Sequence, residues 1–254
     1  MAWTEQVGYA GAVELYLDRL NDDYSSSGGY ELLQNITGFS IGNESDVQTN
    51  TSRDYENFGA TLDVLVTGKG SQLKFSVNRV QPSVLAMALF GTDTTYSVGA
   101  GSFTDQAVTA KLGKWVPVGP QNLTSGTVVV TDSTGTTTYA ENTDYLIDYR
   151  VGMLKALSGG AISDAEALLV DGDKAARSGT SVAGGTNPII RLALVAKGRN
   201  RVDGRYMTTT IAKAMVKPDG QIDWAGTDWV NVAFSGEILL PSGASAAYTV
   251  EFDD

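Results

Sequence analysis

Residues 60–80, ATLDVLVTGKGSQLKFSVNRV, decide how this chain is to be read. Leu62, Val64 and Val66 fall on alternate positions, and Leu73, Phe75 and Val77 do the same beyond Gly68 and Gly70. A period of two marks a strand with one buried face; a helix would bring its apolar residues round every three or four positions. Two such runs joined around a pair of glycines predict an antiparallel hairpin that turns at Gly68 and Gly70.

On the N-terminal side, GAVELYLDRL places Val13, Leu15 and Leu17 on one face of a further strand. Between them, from about 21 to 58, runs a polar stretch containing SSSGG, NES and TNTSRDYEN, which predicts a long loop or an extended, mostly exposed hairpin. On the C-terminal side, Pro82 opens PSVLAMALFG and Gly91 closes it, the signature of a short helix begun by proline and stopped by glycine. Composition loosens between 92 and 187. That predicts a β-rich insertion carried by a main domain built from 1–91 and 188–254.

Within the insertion, TDYLIDYRVGMLKAL (143–157) sets Tyr145, Ile147 and Tyr149 on one face and Leu146, Asp148 and Arg150 on the other. Gly152 is free to take positive φ, and Met153 to Leu157 run back as a second strand. Strong strands return in IIRLALVAKGRNRV, GRYMTTTIAKAMVKP, WVNVAFSGEILLP and AAYTVEF. Strict alternation in the second of these puts Met207, Thr209, Ile211, Lys213 and Met215 on one face. The expected class is mainly β: an antiparallel sandwich or barrel-like core with one short flanking helix and long loops.

A chain of 254 residues that is 42% hydrophobic is globular and long enough for a sizeable core. It contains neither cysteine nor histidine, which removes disulfides, thiolate metal sites, His general bases and the Ser-His-Asp and Cys-His nucleophile systems. The first residues, MAWTEQVGYAGAV, lack the basic and apolar regions of a signal peptide, and the longest apolar run, VLAMALF, is far shorter than a bilayer span. Synthesis in the cytoplasm is expected.

Chemistry-bearing motifs are sparse. Asp171-Gly-Asp173 would need Gly and Glu where Ala176 and Val182 stand to be an EF-hand loop, so it reads as a turn. The patterns at Asn35, Asn43, Asn50 and Asn122 match glycosylation acceptors but follow from Asn, Ser and Thr richness. Paired acids occur at Asp22 and Asp23, Glu44 and Asp46, Asp54 and Glu56, and Asp253 and Asp254. Two carboxyl groups suffice for glycoside hydrolysis, yet these pairs sit in polar loops or at a terminus, where nothing raises a pKa toward that of a general acid. No phosphate-cradling or dinucleotide glycine motif is present. Neither a catalytic set, a metal nor a cofactor is expected.

Charge is more informative. The net charge is −11, which repels nucleic acid at long range and disfavours duplex binding. Yet Arg191, Lys197, Arg199, Arg201, Arg205, Lys213 and Lys217 lie in a segment whose one acid is Asp203, giving it +6 and leaving −17 for the rest. Such a segment either pairs with acids of its own chain or meets acidic loops of a second copy. The candidate interface residues are Asp22, Asp23, Glu44, Asp46, Asp54 and Glu56 of the acidic loops, with Arg53 among them, and Arg199, Arg201 and Arg205 of the basic segment.

The stretch DYLIDYRVGMLKALSGGAI, with VELYLDRL, VQPSVLAMALFG and IIRLALVAKGRNRVDGRY in the same order along the chain, resembles the tail tube proteins of bacteriophages. That resemblance implies a sandwich or barrel-like core with a flanking helix. It also implies a structural virion protein, six copies to a ring, and rings stacked into a hollow tube that conducts DNA without binding it specifically. The implied partners are further copies of the chain and other tail proteins, such as a terminator, baseplate or tip, and a sheath. Edge strands that need neighbours and a long polar arm fit this expectation. Three other readings stand beside it: a capsid-decorating or tail-terminating protein, a carboxylate-only glycosidase, and a carbohydrate-binding sandwich using Trp115, Trp224 and Trp229.

Overall fold

A computed structural model describes residues 11–253; Asp254 and most of the segment read for a leader lie outside the described residues. The fold is mainly β, its sheets antiparallel, with a single short helix among the described residues. It divides into two compact units, one formed by 1–94 and 182–254 and the other by 95–181, against expected boundaries for the insertion of 92 and 187.

The first unit holds β1 (Gly11–Arg19), β2 (Glu31–Leu33), β3 (Ile36–Thr51), β4 (Thr61–Val77) and the helix α1 (Pro82–Ala88). The chain leaves through β5 (Thr92–Val98). The second unit contains β6 (Gly101–Thr109), β7 (Trp115–Pro117), β8 (Val129–Asp132), β9 (Thr138–Tyr139), β10 (Tyr145–Asp148), β11 (Met153–Ala156) and β12 (Ala167–Lys174). It returns through β13 (Arg177–Ala183), the partner of β5, to β14 (Ile190–Asn200), β15 (Tyr206–Pro218), β16 (Val232–Ile238) and β17 (Tyr248–Phe252).

An eight-stranded sheet orders the first unit as β2-β1-β14-β15-β16-β4-β3, with β17 on β15. The two ends of that order approach each other, since β1 also contacts β3, so the sheet curls around one core. Leu15, Leu17, Leu73, Phe75, Leu192, Leu194 and Phe234 point into it, and Phe75 stacks on Phe234 with ring centroids 5.0 Å apart. Val84 and Met87 of α1 close the same core. Pro82 begins the helix as expected, but the left-handed residue that stops it is Phe90 (φ 51), whose neighbour Gly91 donates its amide to Ala86 O.

Two expectations about strands are corrected. Residues 60–80 do not turn at the glycines: 61–77 is one continuous strand, and its partner is β3 from the polar stretch. Lys69 is an extra residue between Gly68, opposite Ser45, and Gly70, opposite Glu44, and Gly70 takes φ 108. A glycine at positive φ serves a bulge as readily as a turn. The face predicted for β15 also breaks. Its register with β14 shifts between Leu192 and Leu194, so Thr209 and Ile211 face the core before the shift, and Ala214 and Val216 after it. Lys213 and Met215 are thereby turned outward, because one inserted residue exchanges the two faces.

The second unit packs a three-stranded sheet, β10-β11-β7, and a four-stranded sheet, β6-β12-β8-β9, around Val118, Val130, Tyr145, Leu154, Leu168 and Val170. Tyr145–Asp148 and Met153–Ala156 form the hairpin expected there, with Gly152 at φ 68. The turn between β8 and β9 is organised by Asp132. Its Oδ1 accepts the amides of Thr136 at 2.9 Å and Thr137 at 3.3 Å and the hydroxyl of Thr134 at 3.0 Å. Partial desolvation raises the carboxyl pKa, but these amides and hydroxyls outweigh it and hold the group down at about 2. A depressed pKa contributes stability that is present above the ordinary carboxylate value and lost as the pH falls through the folded one. Asp132→Asn should therefore lower the urea midpoint of this unit at pH 7, with the gap from the parent closing between about pH 4 and pH 2. A gap that stays constant over that window would show that the charge is not what holds the turn.

Candidate self-assembly surface

The most unusual surface belongs to β3 and β4. Ser71–Val77 of β4 lie between β16 and β3, whereas Thr61–Gly70 pair with β3 alone. From Gly70 outward the two strands are thus a free two-stranded ribbon. Ten residues at ~3.3 Å each make it roughly 33 Å long. Its base is fixed: Ser71 Oγ donates to Asn43 Oδ1 at 2.6 Å, Asn43 Nδ2 to Tyr248 Oη at 3.0 Å, and Gln72 Nε2 to Glu44 Oε1 at 2.8 Å. The Lys69 bulge sits at this base.

The ribbon has two unlike faces. Val66 lies opposite Val47 and Val64 opposite Thr49, so these residues and Leu62 share one side, while Asp46, Gln48, Asp63 and Thr67 share the other with Leu65. The four apolar residues of the first side are 51% to 60% exposed. The tip, 52–60, closes by Ser52 N to Ala60 O at 2.7 Å and Gly59 N to Ser52 O at 2.9 Å, and it presents Tyr55 and Phe58 to solvent. A two-stranded ribbon is marginal in water on its own, and its outer edges carry unpaired amides and carbonyls.

The candidates from the acidic loops, Arg53 among them, separate into two groups. Arg53, Asp54 and Glu56 stand exposed at the tip, and Asp46 lies 3.9 Å from Lys69 on the ribbon. Asp22 and Asp23 are engaged within their own chain. Arg191 Nη1 donates to Asp22 Oδ1 at 2.6 Å, and Asp23 accepts the Ser25 hydroxyl and amide, which lower its pKa. The basic segment is also partly used within its own chain. Arg191 meets Asp22, Lys197 meets Glu14 at 3.7 Å, and Arg205 meets Asp203 at 3.7 Å. Arg199 Nε donates to Gly204 O and lies against Tyr206, and Arg201 lines a recess with Val13 and Phe39. The excess of six positive charges is therefore smaller as a surface feature than as a sequence feature. Lys213 rests on the Tyr24 ring at 4.8 Å, and Lys217 is exposed.

The tryptophans are not brought together. Trp115 lies in the second unit beneath Lys155, while Trp224 and Trp229 of the first line different recesses. Among the described residues, the carboxylates with displaced pKa values, Asp23, Asp132 and Asp144, are all displaced downward by hydrogen bonds, the direction opposite to that of a general acid. No helix among them is long and apolar enough to cross a membrane.

Sequence alone does not mark the ribbon, because Leu62, Val64 and Val66 have the alternation of a core strand; the polar composition of the strand opposite them is the signal that tells the two apart. Residues 13–247 match the model of a family described as Protein of unknown function UCP028589. No curated protein matches the chain.

Proposed function

We propose, from the premise that the chain belongs to the family described as Protein of unknown function UCP028589, that it is a structural subunit of a bacteriophage tail tube. Copies assemble into rings, the rings stack, and the resulting conduit passes DNA during ejection. The observation that carries this reading is the ribbon of 44–51 and 61–70, an apolar-faced arm with two open edges that its own chain leaves uncovered. A second copy supplies what it needs, and repeated head-to-tail contacts of this kind generate closed rings or filaments. The net charge of −11 suits a wall along which phosphate moves without adhering. The subunit is made in the host cytoplasm and resides in the virion tail. Its other contacts are with the tail proteins at the two ends of the tube and with a sheath where there is one.

Electron microscopy of the purified protein over a range of concentration and salt tests the proposal. Hollow rings or tubes are the expected result. A monomer that persists at millimolar concentration would favour a capsid-decorating or tail-terminating role. The double substitution Val64→Asp, Val66→Asp should raise the concentration needed for assembly by at least ~100-fold, because it places two charges where apolar contact is made. The circular dichroism of the monomer should not change, since both side chains are solvent-exposed. Tubes that form from this variant at the parent's concentration would remove the ribbon from the assembly contact.

A further inference from the structure

The first unit carries a receptor for the ribbon as well as the ribbon itself. On the outer face of β14, β15 and β16 lies an apolar groove of about 310 Å³, with Ile189 and Met215 exposed in it and Lys217, Ser235 and Glu237 along its rim. The β-bulge at Ala212 and Lys213, opposite Ala193, creates it, since that shift turns Met215 outward where strict alternation would have faced it to the other side. We propose that this groove receives the apolar face of the ribbon, Val47, Val64 and Val66, from a second copy of the chain.

Three observations fix the occupant. First, the ribbon cannot fill the groove of its own chain. Glu237 lies opposite Gln72, at the base of the ribbon, and Val66 and Val64 stand six and eight residues further along β4, about 20 to 27 Å of strand, where they remain exposed, as do Ile189 and Met215 of the groove. Second, the chemistry matches, branched aliphatic side chains meeting an isoleucine and a methionine, and methionine adapts to an imperfect fit. Third, the charges are complementary. Residues 44–70 carry five acids and two bases, a net −3, while Lys217 at the rim and Lys213, two residues before Met215 on the same strand, have no acidic partner among the described residues and outnumber the one acid of the groove, Glu237. The contact is heterologous, ribbon of one copy to groove of the next, which is the symmetry that a ring or a stack requires. This assignment rests on the tube reading but is more specific than it.

The absence of cysteine makes the test clean. Val66→Cys and Met215→Cys proteins are mixed under assembling conditions and mildly oxidised, as are the Val47→Cys and Val64→Cys partners. A disulfide forms only where Cβ atoms come within about 4.5 Å. The control is Gln48→Cys, on the opposite face of the ribbon. The expected result is a linked dimer for at least one apolar-face variant, at least tenfold more than for the control. A chain bearing both substitutions should give a ladder of linked species. Tubes with no linkage above the control overturn the groove and leave the tube reading standing. A ladder without tubes keeps the docking and removes the tube. Neither tubes nor linkage overturns both. Each cysteine replaces a side chain at least 36% exposed, so loss of folding is not expected, and circular dichroism verifies it.

Discussion

Gly236→Ala should cost the first unit at least about 3 kcal/mol, enough to leave much of it unfolded at 37 °C. Gly236 is in β16, opposite Val216 on one side and Leu73 on the other, in the middle of the eight-stranded sheet. A Cβ placed there would lie 2.0 Å from Met215 O and 2.6 Å from Val216 Cα. Both atoms belong to the backbone of a neighbouring strand, so no rotamer change relieves the clash. The strands must part, and Phe234 and Ile238, two residues away on either side, are drawn out of the core with them. Urea denaturation followed by circular dichroism measures the loss. A change below about 1 kcal/mol would mean that β15 and β16 stand further apart than described.

Gly152→Ala should be comparably severe in the second unit and confined to it. The residue takes φ 68, and a Cβ would lie 1.9 Å from Pro120 O. Left-handed backbone alone costs a non-glycine residue about 1 kcal/mol, and the carbonyl contact adds the displacement of 118–123. That displacement reaches the core through Val118, whose amide donates to Gly152 O at 2.9 Å. Because each unit has its own apolar core, calorimetry of this variant should lose one transition and keep the other. A single transition shifted as a whole would show that the two cores melt together.

Much of the fold was legible because a half-buried strand must alternate. The curled sheet and the 145–156 hairpin follow from that rule, and α1 follows from its proline. What escaped has physical causes. Residues 36–51 form a long strand with little burial on either face, so no alternation marks it. Gly68 and Gly70 suit a turn and a bulge equally, and only the partner strand decides. The bulge in β15 leaves no trace in composition, yet it decides which residues face out. Of the candidate interface residues, Asp54 and Glu56 could be placed as exposed acids from the sequence. The engagement of Asp22 with Arg191, 169 positions away, could not.

The order of strands also has a consequence for how the chain is made. β1 ends at Arg19, yet its principal partner β14 begins at Ile190. At ~5 to 20 residues per second, a ribosome delivers that partner roughly 9 to 34 s later. Meanwhile Leu15 and Leu17 have only the three residues of β2 beside them. The second unit, whose strands pair with one another, emerges complete within that interval. A unit folded within that interval holds β5 beside β13 and shortens the loop that β1 and β14 must close, which lowers the entropic cost of the longest-range strand pairing among the described residues.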